Sequence, residues 1–389
     1  MLTPSLLVLG LNLDVVSGTT GYCYNSGSRA GGSSYSAQAG KTYKDLLDAG
    51  YDKFTAPMYG GFDGLNITEK EPFRNTGLSD KTQETSYAYN TIKRAIDTVA
   101  DPEFVETNIM TVPGITNSIL TKHLVDTCEK RGDSLAIIDI ENDFIPFTEN
   151  TADITARLPS VSSAITSLKT RSINSSYGCC FFPFVQVRDT RTGRLIDVPP
   201  SVPALGTFGS SQARTEVWFA PAGFVRGGLS GGAAGIPVTN VKLRLTSKDR
   251  DKLYAVNINP IASFPSEGIV IFGQKTLQDK RSALDRINVR RLLIFLKKEV
   301  SRIANGILFE PNVQATWDRF TAAVNPFLAD VKARFGLTDF RVVLDNTTTT
   351  DDLIDRNILY AKIYLKPARA IEFIALDFII TRTGASFDD

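Results

Sequence analysis

The residues best placed to do chemistry are three carboxylates, Asp139, Glu141 and Asp143. They alternate at the end of the apolar run Leu135-Ala136-Ile137-Ile138-Asp139-Ile140. Carboxylates at the carboxyl end of a buried α/β strand can hold Mg²⁺ or act as acid and base, because ligands gather there. Strand alternation puts all three on one side. No phosphate loop accompanies them, since Gly40-Lys41-Thr42 has Tyr35 where a P-loop needs its earlier glycine. A solvated loop or a subunit contact is therefore the expected role.

A second constellation is Gly228-Leu229-Ser230-Gly231-Gly232, which has the G-x-S-x-G spelling of a nucleophile elbow. An elbow needs a strand before it and a helix after it. Here a Pro/Gly loop precedes and Ala-Ala-Gly-Ile-Pro follows. A hydrolase using Ser230 is thus a remote alternative. His123 is the sole histidine and precedes Ser230, whereas that fold places it last, so a surface or capping role is expected. The four cysteines include the adjacent pair Cys179-Cys180 and form no C-x-x-C. They are expected to be reduced and to pack as small apolar residues. No catalytic, metal-binding or cofactor-binding residue is assigned, and no cofactor is expected.

Lys plus Arg is 43 and Asp plus Glu is 42 in 389 residues, a net charge of +1. That balance argues against a nucleic-acid coat and suits a surface that meets other protein surfaces. Apolar runs are too short to span a bilayer, and Leu6-Leu7-Val8-Leu9 lacks a basic region before it. No membrane insertion is expected.

Residues 1–80 are rich in Gly, Ser, Asn and Thr. Periodicity then predicts a helix over 85–100, a strand over 108–112, a helix over 117–130 and a strand over 135–140. A helix over 153–170 and a strand over 178–187 follow. This β-α-β-α-β order predicts a doubly wound α/β sheet. Residues 197–240, with many Pro and Gly, read as loops around one short helix near 210–218. A boundary is expected between about 240 and 275.

The last third changes character. Ile287–Ile303 is an amphipathic helix, with Leu292, Leu293, Phe295, Leu296, Val300 and Ile303 apolar and Arg290, Arg291, Lys297, Lys298 and Arg302 on a solvated face. Residues 311–335 are helical with a kink or break expected at Asn325-Pro326. Strands are predicted over 340–344, 358–365 and 371–380. In the second of these, Tyr360, Lys362, Tyr364 and Lys366 share one face. Residues 279–302 hold eight basic and three acidic residues, and residues 330–355 hold six acidic and three basic, including Asp351, Asp352 and Asp355. Opposite patches on one chain suit head-to-tail contact between copies.

Several runs together resemble the tail sheath proteins of contractile-tailed bacteriophages. They are Ala56-Pro57-Met58-Tyr59-Gly60-Gly61-Phe62-Asp63-Gly64, Ala220-Pro221-Ala222-Gly223-Phe224-Val225-Arg226-Gly227 and Asn257-Ile258-Asn259-Pro260-Ile261. Gly273-Gln274-Lys275-Thr276-Leu277, Leu284-Asp285-Arg286-Ile287-Asn288-Val289-Arg290-Arg291-Leu292 and the ending Phe378–Gly384 continue the resemblance. Sheaths of R-type pyocins, extracellular injection systems and type VI secretion are similar more distantly.

The resemblance implies a structural, non-enzymatic subunit. Its α/β part would have a non-catalytic subtilisin-like fold, and its C-terminal α+β part would face an inner tube and exchange strands with neighbours. Subunits would form hexameric rings stacked helically, assembled in the host cytoplasm into a virion tail. The ring stack would contract from a metastable extended form and drive the tube through the target envelope. Implied partners are further copies of the chain, the tail tube protein, and the baseplate and tail terminator proteins, with no direct nucleic-acid contact. The expected division is 1–80 (loop-rich), 81–262 (α/β) and 263–389 (tube-facing assembly domain).

Physics favours exchange of the last strand. Ile371, Phe373, Ile374, Leu376, Phe378 and Ile380 make a long apolar strand that is hazardous as an open edge but useful when donated. These six are the expected strand contacts. Arg290, Arg291, Lys297, Lys298, Arg302, Asp351, Asp352 and Asp355 are the expected charged subunit or tube contacts. One departure concerns the N-terminal arm of the family, because Met1-Leu2-Thr3-Pro4-Ser5 runs quickly into an apolar stretch. A trimmed or altered arm is expected, with little room for an outer insertion domain.

Overall fold

The computed structural model describes residues 73–78, 86–232 and 235–372. The run 56–64, the phosphate-loop candidate at 40–42 and residues 373–380 of the final strand lie outside them.

A short parallel sheet forms the centre. Strands β1 (Ile109–Thr111), β2 (Leu135–Ile138), β3 (Gly178–Phe182) and β7 (Ile258–Phe264) run parallel in that order, and β8 (Gly268–Ile271) adds antiparallel to β7. β2 and β3 are buried at every position, as unbroken apolar runs require when helices cover both faces. One face packs on α1 (Tyr87–Thr98), α2 (Ser118–Arg131), α3 (Val161–Arg171) and α5 (Ser247–Ala255) through Ile92, Leu124, Leu168 and Leu253. The other packs on α4 (Ser201–Arg214) through Ala204 and Phe208, and on the start of α6 (Ile287–Asn305). The adjacent cysteines divide accordingly: Cys179 faces the α4 side and Cys180 the α2 side, both fully buried. Among the described strands the parallel order is sequential, without the reversal that marks a switch-point crevice.

Several expected elements shift for identifiable reasons. The helix over 153–170 divides into a single turn at Ile154–Arg157 and α3, because Leu158-Pro159 is extended and Ser160 caps α3 by accepting from the Ser163 N–H. The strand over 178–187 is two strands, β3 and β4 (Val185–Arg188), separated at Pro183, which has no N–H for a ladder. β4 leaves the central sheet and pairs antiparallel with β5 (Leu195–Val198) and β6 (Val238–Val241). The stretch expected as loops contains α4 at 201–214 instead of a helix at 210–218. Pro203 is tolerated there because the first helical turn needs no N–H from it.

The expected boundary at 262/263 falls inside β7, whose hairpin with β8 keeps the central sheet going to Ile271. Helix α6 then joins two cores. Ile287 and Ile294 belong to the sheet's core, whereas Leu292 and Leu296 belong to a C-terminal core with Trp218, Phe320, Val324 and Leu328. Helix α7 (Gln314–Ala333) runs through Pro326, so of the expected kink or break the break does not occur. Pro326 and Ala322 both lie on its exposed side, so water can satisfy the carbonyl that the proline leaves free.

The chain closes on β9 (Leu337–Val343) and β10 (Lys362–Pro367), an antiparallel pair. Ala361, Ile363 and Leu365 pack on the C-terminal core, while Lys362, Tyr364 and Lys366 point outward, following the alternation in the sequence.

Candidate functional site: the Glu372 anchor

The three carboxylates of the opening constellation do not converge. Asp139 is buried and caps α4, accepting from Ser201 N at 3.1 Å, Ser201 Oγ at 2.7 Å and Gly114 N at 2.8 Å. Burial raises it to about 6, with those hydrogen bonds pulling it back. Asp143 accepts from Phe144 N at 2.7 Å and Phe184 N at 3.0 Å, and burial pushes it up to about 8. Glu141 turns outward to Arg171 at 3.3 Å and Ser167 at 3.2 Å. The backbone leaves the strand after Ile138, and Asn142 takes a φ of 63°, so the period-two alternation no longer holds. No group of three or more His, Cys, Asp or Glu side chains comes together to hold a metal among the described residues.

Ser230 has a structural partner: its Oγ accepts from Ile269 N at 2.9 Å. The Gly227–Leu229 segment lies along β8, with Ile271 N donating to Gly227 O at 2.8 Å and Leu229 N to Ile269 O at 2.7 Å. A Cβ on Gly227 would meet Ile271 O at 2.7 Å, so glycine is needed for that approach. His123 Nε2 meets Asp97 Oδ1 at 2.6 Å, joining α2 to α1.

Three of the runs that carry the family resemblance, 257–261, 273–277 and 284–292, meet elsewhere, around Glu372. Arg286 grips its carboxylate with two parallel bonds, Nε to Oε1 at 2.6 Å and Nη2 to Oε2 at 2.9 Å. Tyr254 donates its hydroxyl to Oε2 at 2.9 Å, and Gln274 Nε2 reaches Oε1 at 3.3 Å. The fork of a guanidinium matches a carboxylate in this way, and charge-assisted bonds of this kind are about twice as strong as neutral ones. Burial raises the Tyr254 phenol, reinforced by the Glu372 charge. For Arg286, burial opposes the charge but the Glu372 carboxylate outweighs it and raises the guanidinium.

The support behind this cluster is also built from quoted runs. Asn259 is fully buried in β7, accepts from Lys275 N at 2.6 Å, and donates to Lys275 O at 2.8 Å and Cys180 O at 2.9 Å. Lys275 Nζ donates to Tyr254 O at 2.6 Å and lies 4.4 Å from that ring's centre. Burial, then the neighbouring Arg286, lowers the Lys275 ammonium. The loop after β8 is thereby fixed and presents Gln274 to Glu372.

The expected contact residues fall into groups. Ile371 is described and 83% exposed, while Phe373, Ile374, Leu376, Phe378 and Ile380 lie outside the described residues. Arg290 and Arg291 are not on a solvated face, being 7% and 3% exposed. Arg290 lies 4.0 Å over the Tyr177 ring and bonds Ser176, and Arg291 bonds Gln212 at 2.9 Å above Phe208. Burial lowers both, Arg291 to about 10. The amphipathic reading assumed one apolar face, but the first half of α6 is wedged between two cores. Lys297 and Arg302 are exposed, Arg302 pairing with Glu299, and Lys298 pairs with Glu106 at 2.7 Å. Asp351, Asp352 and Asp355 lie on a short exposed turn, with Asp352 facing Arg356 at 3.6 Å.

Tyr254 and Glu372 carried no expected role. The available signal was that Gln274 and Arg286 lie within two of the runs that carry the resemblance, which does not name the carboxylate they meet.

Comparison with known proteins bears on this region directly. Residues 279–381 match the phage tail sheath C-terminal domain family. The chain is 42% identical over 173 residues to the tail sheath protein of Vibrio phage KVP40, covering 44% of this chain and 25% of that protein. It is 37% identical over 197 residues to the tail sheath protein of Enterobacteria phage T4, covering 50% of this chain and 29% of that protein. In fold it is similar to a chain of the anti-feeding prophage baseplate, with a TM-score of 0.58, 20% identity, and coverage of 76% of this chain and 74% of that one. The contracted sheath complex of the extracellular contractile injection system PVC is similar too, with a TM-score of 0.58, 21% identity, and coverage of 73% and 74%.

The match is thus to the C-terminal domain of phage tail sheath proteins over residues 279–381, and the chain is similar to the tail sheath proteins of two bacteriophages. It spans about a quarter of the length of the curated relatives it matches.

Proposed function

We propose that this chain is a structural, non-catalytic subunit of a contractile tail sheath. It polymerises as stacked hexameric rings around an inner tube and contracts to drive that tube through a target envelope. Its partners are other copies of itself, the tail tube protein, and the baseplate and terminator proteins at the two ends. The sheath belongs to a virion tail assembled in the host cytoplasm. The α/β part is read as subtilisin-like and doubly wound, a reading that the helices on both sheet faces support and the sequential order of the described parallel strands does not. The division into a loop-rich start, an α/β domain and a tube-facing assembly domain is proposed with it.

The observation that carries the reading is the β9–β10 pair, which lies within the matched segment 279–381. Two strands alone are marginal, and among the described residues each keeps one unpaired edge. A sheet of this kind is completed by strands from elsewhere. Residues 371–380, beginning at the Glu372 anchor, supply an apolar strand for a neighbour's sheet. At a net gain of about 1 kcal/mol per hydrogen bond, several such bonds tether subunits firmly. Contraction is then a rotation of rigid subunits that keep their links. The fold-level similarity to anti-feeding prophage and PVC chains favours a second reading, a sheath of a non-phage injection system.

Electron microscopy of the purified protein over a concentration series tests the proposal. Rings or helical tubes are expected; monodisperse monomers at high concentration with native ends would contradict it.

A further inference from the structure

Beside the Glu372 cluster lies a groove of about 1120 Å³ between the end of α3, the end of α5, the loop before α6 and the Arg369–Glu372 segment. Leu168, Ile173, Leu277 and Val289 give it apolar lining. Lys169, Arg281 and Arg369 also line it, exposed and with no ion-pair or side-chain hydrogen-bond partner among the described residues. Two of the acids in the lining, Asp285 and Glu372, are held by Arg286, which leaves Asp279. Among the described residues the groove therefore presents three free cations against one free carboxylate.

The opposite pattern stands on the Asp351–Asp355 turn. Asp351, Asp352 and Asp355 are exposed, and Asp351 and Asp355 have no ion-pair partner among the described residues. Between them Leu353 and Ile354 are half-buried. The turn thus offers carboxylates flanking two aliphatic side chains, and the groove offers cations around an apolar lining. Neither set finds its complement among the described residues.

We infer that the groove docks the Asp351–Asp355 turn of a second copy of this chain. The inference rests on the sheath reading and specifies one contact within it. Groove and turn are different patches of the same surface, so the contact is heterologous and propagates from copy to copy into a ring or helix. The charges set orientation and register more than affinity. Of the basic residues first expected as contacts on α6, Arg290 and Arg291 are buried and Lys298 and Arg302 are engaged within the chain, while Lys297 stays exposed.

A charge-swap experiment tests this, with the critical concentration for assembly measured by light scattering and electron microscopy. The pair Arg281→Glu/Arg369→Glu and the pair Asp351→Lys/Asp355→Lys should each raise that concentration at least about tenfold. All positions involved are exposed, so circular dichroism should show each variant melting as wild type does. Combining the four substitutions should restore the critical concentration to within about threefold of wild type. Normal assembly of the groove variant overturns the inference. So does failure of the combined variant to recover, which would assign the groove to another occupant such as residues 373–389 or a different protein. In both cases wild type still forms tubes and the sheath reading stands; a wild type that never assembles removes both.

Discussion

Arg286 holds Glu372 through two parallel bonds of 2.6 and 2.9 Å, joining the N-cap of α6 to the last described residue of the chain. Residue 372 stands at the root of the apolar stretch that the sheath reading donates to a neighbour. Force entering along that stretch would pass through this ion pair into α6. Because α6 contributes to both cores, the pull would be shared by the α/β sheet and the C-terminal helices.

Glu372→Gln should weaken the anchor without emptying it, since an amide still accepts from Tyr254 but loses the charge-assisted fork. A loss of about 1–3 kcal/mol is expected, read as a lower midpoint in urea. Arg286→Ala should cost at least as much, because it leaves the partly buried Glu372 carboxylate without its counter-charge. Midpoints unchanged in both variants would show that the pair bears no load.

Asp143 supplies a pH dependence. Its carboxyl is raised to about 8 by burial, and its Oδ2 has no hydrogen-bond partner among the described residues. The folded state therefore holds this proton more tightly than the unfolded chain, whose aspartates titrate near 3.9. By linkage, the group's contribution is full below about pH 4 and is lost as pH rises toward about 8. Asp139, raised to about 6, acts in the same direction over a lower window. Asp143→Asn should flatten the decline in stability between pH 5 and pH 9, measured by denaturant unfolding at each pH. An unchanged slope would mean Asp143 is ionised in the folded protein throughout.

Gly273→Ala tests the support behind the anchor. A Cβ there would meet Asn259 Oδ1 at 2.9 Å, Pro260 Cδ at 3.0 Å and Tyr254 Cε2 at 3.0 Å. Those atoms belong to the residues that fix the Gln274–Lys275 loop. A loss of about 1–3 kcal/mol is expected, of the size seen for overpacking in close-packed interiors. Full wild-type stability would show that the loop shifts freely.

Phe373→Asp with Ile374→Asp should abolish polymerisation while leaving thermal unfolding of the α/β part unchanged, because a charge on each face spoils a strand for any sheet. Sedimentation velocity reads the first effect and circular dichroism the second. Assembly of the double variant into normal tubes would refute strand donation.

The central strands, the helices around them and the long α6 were legible because burial on both sheet faces and amphipathic periodicity are local signals. Ser160 and Pro183 show where the reading stopped short. Each divides an apolar run that periodicity alone treats as continuous, one through a cap and the other through a missing N–H. At Pro326 a kink or a break was open, and only the fold shows a continuous helix whose affected turn faces solvent. The largest miss was the pair Arg290 and Arg291, because a helix shared by two cores buries residues that a one-sided pattern leaves in water. The Glu372 anchor was legible only as quoted runs. Tyr254 and Glu372 are 118 residues apart, a separation no sequence period can bridge.

The most direct test of the account is a cryo-electron microscopy map of the assembled protein, traced through residues 373–380. The account predicts that this segment leaves the Glu372 anchor and adds a strand to the β9–β10 sheet of another copy. A trace that keeps the segment within its own subunit, or leaves both edges of that sheet unpaired in the assembly, would contradict it.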